Sequence, residues 1–294
     1  MDVSNIQTVR RFNRTVTEGI GLLGNRFLNG ARPLGEARIL WEIGPDGVEI
    51  RALRARLGLD SGYVSRVLRS LTQQRLVSVR VSKDDRRVWR ATLTAKGLAE
   101  RAELDRRSDA LALSILEPLS DRQRATLLSA MADVERLLQA SMVRFAVEDP
   151  ATPDARWCFE QYFAELAARF EAGFDPAISI SADPHELVPP AGALVIARLR
   201  DRPIGCGALK LHGRAPAEIK RMWIATSARG LGLGRRLLDE LERYARAAGV
   251  TVLRLETNRT LSEAIALYRT SGYREADAFN DEPYAHYWFE KRLV

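Results

Sequence analysis

The chain has 294 residues, 46% of them apolar and 28% charged, with a formal net charge of +7. That length accommodates two domains with a core each, and the composition is that of an ordinary globular protein. No apolar run is long enough for a membrane helix, and the first residues lack a signal-peptide core. Cys158, Cys206 and the three histidines sit in no metal-ligand or disulfide spacing, so a cytoplasmic protein without a metal is expected.

Charge is concentrated early. Residues 1–150 hold 25 basic and 19 acidic side chains, and residues 51–90 alone hold 11 against 3. A basic block confined to one short stretch is an electrostatic footprint for a polyanion. Residues 3–29 read as a first helix, its end weakened by Gly19, Gly21 and Gly24, and 35–43 as a second. In EIRALRARLGLDSGYVSRVLRSLTQQRLV, 49–77, one helix stops at Gly58 and the next is capped by Asp60 or Ser61. That second helix places Val64, Val67, Leu68 and Leu71 on one face. Two short helices joined by a glycine turn form a helix-turn-helix. Its outward face offers Ser61, Tyr63, Ser65, Arg66 and Arg69 to base edges and phosphates. VSVRVS and RVWRATLT then alternate around KDDR as a hairpin, a wing whose Lys83, Arg86 and Arg87 reach an adjacent minor groove. Helical patterns over 98–117 and 121–145 follow.

Through LGLDSGYVSRVLRSL and DDRRVWRATLTAKG, this half resembles the MarR family of winged helix regulators. The resemblance implies a homodimer on double-stranded DNA, joined by the first helix and the last two. Arg75 stands where that family usually has glycine. A left-handed helix end is therefore expected on a non-glycine residue, at a cost of ~1 kcal/mol.

VEDPATPDA, 147–155, reads as a linker, and beyond it strands and helices alternate. There RGLGLG, 229–234, sits between an apolar strand and an amphipathic helix. A glycine cluster at that junction cradles a phosphate on free backbone N–H groups. The third glycine of a dinucleotide fingerprint is missing, and so is the Lys-Ser/Thr of a P-loop. The spacing of Arg229, Gly232 and Gly234 resembles instead the signature of the GCN5-related N-acetyltransferases (GNAT). SEAIALYRTSGYRE, 262–275, resembles that family's tyrosine-glycine block, and HYWFEKRL its last strand. The fold expected is thus two domains, a mainly α winged helix-turn-helix over 1–146 followed by an α/β GNAT (acyl-CoA N-acyltransferase) fold over 153–294.

The GNAT resemblance assigns roles residue by residue. Backbone N–H groups of the loop Arg229, Gly230, Leu231, Gly232, Leu233, Gly234 and Arg235 would hold the pyrophosphate of acetyl-CoA, with the Arg229 side chain fixing the loop or reaching a phosphate. Met222, Trp223 and Ile224 would hold the pantetheine arm as an added strand. Asn258 would touch that arm or the acceptor, and Tyr268 would protonate the leaving thiolate. Glu218 is the favoured general base, six residues before Ile224 and on the same face by period-two counting, with Glu256 a second choice. Phe159, Phe163, Leu166 and Phe170 read as a core stripe, and Arg169, Tyr284 and Tyr287 as acceptor lining. Together these point to a dimeric regulator that also acetylates a small-molecule or peptide amine. The alternative is a regulator whose GNAT domain senses acetyl-CoA or an amine without turnover.

Overall fold

The computed structural model describes residues 2–19, 32–82, 85–180, 182–213 and 215–293. The chain divides into two compact units, Met1–Met131 and Ala132–Val294. Lys83 and residues 20–29 of the expected first helix lie outside the described residues.

The first unit contains α1 (Val3–Gly19), α2 (Leu34–Ile43), β1 (Val48–Glu49), α3 (Ile50–Leu57), α4 (Ser61–Gln73), β2 (Val77–Val81), β3 (Trp89–Leu93) and α5 (Ala95–Leu116). The division between the units falls inside α6 (Asp121–Ser141). Gly58 ends α3 with φ 64°, and the Asp60 carboxylate caps α4 by accepting from the Tyr63 N–H at 2.8 Å. Such a cap contributes about 1 kcal/mol. Val64, Val67, Leu68 and Leu71 of α4 then pack on Ile39, Leu40 and Ile43 of α2, Leu53 of α3 and Ala91 of β3. The hairpin β2–β3 forms as its alternation predicts, and β1 adds a third strand in the order β1-β3-β2. Two residues are too few to show an alternating pattern, so β1 has no sequence signal. Arg75 does take the left-handed conformation, at φ 59°. α1 buries none of its residues: Val3, Ile6, Val9, Phe12 and Val16 are 39–67% exposed along one side of it.

The second unit is built on a seven-stranded sheet. Its elements are β4 (Arg144–Val147), α7 (Pro153–Arg169), β5 (Gly192–Leu199), β6 (Arg202–Lys210), β7 (Ala217–Ile224), α8 (Leu233–Ala247), β8 (Val252–Thr257), α9 (Ser262–Thr270), β9 (Arg274–Ala276) and β10 (Tyr287–Arg292). The order is β4-β5-β6-β7-β8-β10-β9, antiparallel except for β7 beside β8. α8 and α9 cover one face with Leu237, Leu241 and Ile265, and α7 covers the other with Ala155, Cys158 and Phe159.

Two boundaries differ from the sequence reading. The helix expected to reach residue 145 stops at Ser141, because Arg144 and Phe145 pair with Arg198 and Ala197 of β5. Chain ahead of residue 153 therefore already belongs to this sheet. The β-branched and aromatic character of VRFAV is short enough to be read as a continuing helix, and only the waiting edge of β5 decides it.

Candidate functional site

β7 organises the site. Its parallel pairing to β8 is confined to Ala217↔Leu253 and Glu218↔Arg254. Beyond that the strand is bulged. Cys206 faces Trp223 and Ala208 faces Lys220, so Arg221 and Met222 share the single partner Gly207. Arg221 carries φ 54° there. A side chain at Gly207 would lie 2.9 Å from the Leu241 Cδ1 and 3.0 Å from the Met222 Sδ. The bulge resets the alternation: Ala217 and Ile219 pack into the same cluster as Met222 and Ile224, while Trp223 joins the opposite one. Period-two counting across this strand therefore fails, and Glu218 and Ile224 do not share a face.

The glycine loop follows. Gly230 and Gly232 have φ 75° and 71°, conformations that other residues rarely hold, and nothing lies within 4 Å of where their Cβ atoms would be. Gly232 opens α8 without any side-chain cap. An uncapped helix start approached over side-chain-free backbone fits an anion such as a pyrophosphate. Arg229 is occupied locally. Its Nε donates to the Ile224 carbonyl at 2.9 Å, and its guanidinium pairs with Glu165, which also accepts from the Trp223 indole N–H at 3.0 Å. Burial pushes the Glu165 carboxyl up, but Arg229, Arg169 and Trp223 outweigh it and hold it below the usual range. Arg235 donates to the Thr270 carbonyl at 3.0 Å and the Ser271 hydroxyl at 2.7 Å, fastening α8 to the end of α9.

Met222, Trp223, Ile224, Arg229, Gly230, Gly232, Leu233, Gly234, Arg235 and Tyr268 all line one open cleft. Leu231 does not. It packs instead beside Ala228 and the buried Leu233. A second cavity adjoins this cleft, sharing Tyr162, Leu166, Met222, Leu261, Ala264 and Tyr268. Tyr268, 5% exposed, stands at the junction, and burial together with the Glu256 charge raises its phenol above the usual value.

The two glutamates are placed differently from the sequence expectation. Glu218 lines neither space, whereas Glu256 lines the second cavity. The Lys220 ammonium lies between them, 2.8 Å from Glu218 and 2.5 Å from Glu256. His212 Nε2 is 2.9 Å from Glu218. Burial pushes Glu218 up, but Lys220 and His212 outweigh it and its carboxyl lies low. For Glu256 burial wins over Lys220, and its carboxyl is raised.

Asn258 also lines the second cavity, with both ends of its amide engaged. It donates to the Tyr284 carbonyl at 2.7 Å and accepts from the Thr260 N–H at 2.9 Å. Tyr284 lines this cavity too, but Arg169 lines the cleft and Tyr287 stacks on Phe289. Sequence reasoning missed Tyr162 and Glu165. They sit three apart on α7, one position off the aromatic stripe, and a tyrosine and a carboxylate at that spacing were the available signal.

On the first unit, Ser61, Ser65, Arg66 and Arg69 are exposed along α4. Tyr63 is not outward as expected. It is half-buried, and its hydroxyl rests where a side chain on Gly35 of α2 would be, 1.9 Å from that Cβ position. At the wing tip Arg86 is exposed, and Arg87 pairs with Asp85 at 3.3 Å.

Residues 152–273 match the acetyltransferase (GNAT) family and residues 31–88 the MarR family. The IAA acetyltransferase of Azospirillum brasilense is 39% identical over 98 residues, which are 33% of this chain and 64% of that protein. The chain thus spans less than two thirds of that relative's length. The N-alpha-acetyltransferase RimI of Mycobacterium tuberculosis is 35% identical over 124 residues, 41% of this chain and 73% of that protein. FabT of Streptococcus pneumoniae, solved in complex with DNA, aligns at 24% identity and a TM-score of 0.38, over 46% of this chain and 94% of that one. The chain belongs to the acetyltransferase (GNAT) family and carries a MarR-family region ahead of that domain. Among the described residues no helix is long and apolar enough to cross a membrane.

Proposed function

We propose that this chain is a cytoplasmic, DNA-binding dimer that also transfers an acetyl group from acetyl-CoA to an amine. The MarR-like region ahead of β4 forms the regulatory part, and the catalytic part begins with β4, which pairs with β5. The observation that carries the catalytic reading is the position of Tyr268 and Glu256. Tyr268 lines both the glycine-loop cleft and the adjoining cavity, and Glu256 lines that cavity.

In this reading acetyl-CoA lies in the cleft, its pyrophosphate on the N–H groups from Leu231 to Arg235. Arg229 holds the loop in shape through Ile224 and Glu165 rather than reaching a phosphate. The unpaired side of β7 at Met222–Ile224 receives the pantetheine arm. Glu256 takes the proton from the ammonium. The amine nitrogen then bonds to the thioester carbonyl carbon, the carbon–sulfur bond breaks, and Tyr268 gives its proton to the departing thiolate. The second proton that the nitrogen loses as the amide forms restores the Tyr268 phenol through solvent. The phenol is protonated at neutral pH, and its raised value makes it a weak acid that gives up its proton only to a fully formed thiolate. Glu218 serves as the partner that fixes Lys220.

Free-thiol release from acetyl-CoA by the full chain, across an amine panel, tests this directly. Tyr268→Phe should lower turnover by roughly 10²–10⁴ with little change in acetyl-CoA affinity. Glu256→Gln should lower it as well and abolish its acidic limb. Glu256 works only when ionised and its carboxyl is raised, so wild-type activity should fall with decreasing pH above the ordinary glutamate range. A Glu256→Gln enzyme with the wild-type pH profile would return the base role to another residue.

The DNA reading rests on Ser61, Ser65, Arg66 and Arg69, exposed on a helix that follows a glycine turn, and on the basic wing. Arg66→Ala should narrow the gap between specific and non-specific sites by about 1–3 kcal/mol. Binding measured by anisotropy should also fall steeply with salt. Salt-independent binding would contradict it.

A further inference from the structure

The cavity beside Glu256 has a composition that selects among amines. Resting on the acetyl-transfer reading above, we propose that its acceptor is a small monoamine bearing an aromatic ring, an aralkylamine, rather than a polyamine or a peptide N-terminus.

Three observations carry this. The wall away from the glycine loop is made of rings: Phe170 and Phe174 lie 5.8 Å apart between centroids, Phe170 and Tyr284 5.6 Å, and Phe174 and Tyr284 4.9 Å. Tilted and edge contacts of this kind accept a further ring at little cost in order. The second observation is charge. The charged side chains lining the cavity are Lys220, Arg221, Glu256 and Glu282, two of each sign. The Glu282 carboxylate, 8% exposed, is occupied by the Ser179 hydroxyl at 3.0 Å and the N–H groups of Ile180 at 2.6 Å and Tyr284 at 3.3 Å. Glu256 is held less fully, with Lys220 on one oxygen at 2.5 Å and the Asn280 amide on the other at 3.4 Å. An incoming ammonium meets that second oxygen, and a second ammonium on the same molecule would face Phe170 and Phe174. Those rings offer it a cation–π contact but no anionic partner, and such a contact replaces only part of its hydration.

The third observation concerns access. Phe174 and Ser179 of one segment and Glu282, Tyr284 and Ala285 of another line the cavity, and the two segments are tied together by the Glu282 bonds and by the Asp175 N–H donating to the Tyr284 hydroxyl at 2.8 Å. An extended peptide laid between these segments would have to break those bonds. A compact molecule with its amine toward Glu256 and its ring toward Phe174 would not.

The test is steady-state acetylation by the full chain of tyramine, tryptamine, ethylamine, spermidine, lysine and a tripeptide, with tyramine binding measured calorimetrically on the coenzyme A complex. The expected result is a kcat/KM for tyramine or tryptamine at least ~10-fold above every other amine. Phe174→Ala should raise the KM for tyramine, lowering kcat/KM by ~10–100-fold as expected for one lost ring contact surface. The loss for ethylamine should be smaller, and the KM for acetyl-CoA should stay in place. Faster acetylation of spermidine, lysine or the tripeptide would overturn the aralkylamine class while upholding acetyl transfer. Saturable tyramine binding without turnover of any amine would overturn the transfer reading and uphold the class. Neither binding nor turnover of tyramine would overturn the class as well.

Discussion

Arg75, Arg200 and Arg221 are the described non-glycine residues at positive φ, with values of 59°, 57° and 54°. An L-residue held there is destabilised by about 1–2 kcal/mol. At Arg75 the cost has no local return, because the side chain is exposed and the helix end is closed by backbone, Leu76 N–H donating to the Leu71 carbonyl at 3.0 Å. Arg75→Gly should therefore stabilise the chain by about 0.5–1 kcal/mol, less than the full relief because glycine also loosens the unfolded chain. Urea unfolding reads this, and an unchanged or lower midpoint would mean the Arg75 side chain holds something after all. At Arg221 the same conformation creates the bulge, and the guanidinium lies 4.4 Å over the Phe159 ring. Arg75 was foreseeable from the sequence, since a missing glycine is visible. Arg221 was not, since nothing in AEIKRMWI marks the residue at which the alternation skips. That one residue takes Glu218 off the face of Ile224.

At the scale of elements, motifs with a local cause were legible. Gly58 and Asp60 delimit the turn between α3 and α4, and Gly232 starts α8 wherever the chain is placed in space. What sequence could not supply are pairings made at a distance, such as β1 on β3, β4 on β5, and Glu165 on Arg229. The open space at Gly232 gives a direct test. Gly232→Glu adds a side chain and a negative charge where an anion is proposed to sit, so acetyl-CoA affinity should drop by ~10-fold or more while DNA binding persists. Equal affinity by calorimetry would remove the loop from the site. α1 supplies another test. Its stripe of Val3, Ile6, Val9, Phe12 and Val16 finds no cover among the described residues, and neither do Leu113 of α5 and Leu128 of α6, 55% and 51% exposed. Surfaces of this kind mark an interface, and a homodimer is the partner proposed. Phe12→Asp should shift sedimentation toward monomer and weaken DNA binding. A dimer that survives the change would place the interface elsewhere.

For the whole molecule, the uneven charge was the first sign of two tasks. Eleven basic residues against three acidic ones fall within residues 51–90, the stretch that holds α4 and the wing. The site proposed for acetyl transfer holds few charges, paired and partly buried, with Lys220 shared by Glu218 and Glu256. Family membership was readable from three ordered motifs because each has a backbone reason to exist. The acceptor was not readable, because the cavity proposed for it is assembled from α7, the segment after it, β7, β8, α9 and the segment before β10, elements far apart in sequence. The measurement that bears most directly on the molecule is mass-spectrometric detection of acetylated amine after the full chain is incubated with acetyl-CoA and the amine panel, beside Tyr268→Phe. Acetyl transfer at this site predicts a product that accumulates with wild-type protein and forms roughly 10²–10⁴ more slowly with the variant. Equal product from the two proteins, or none from wild-type protein that binds acetyl-CoA, would contradict it.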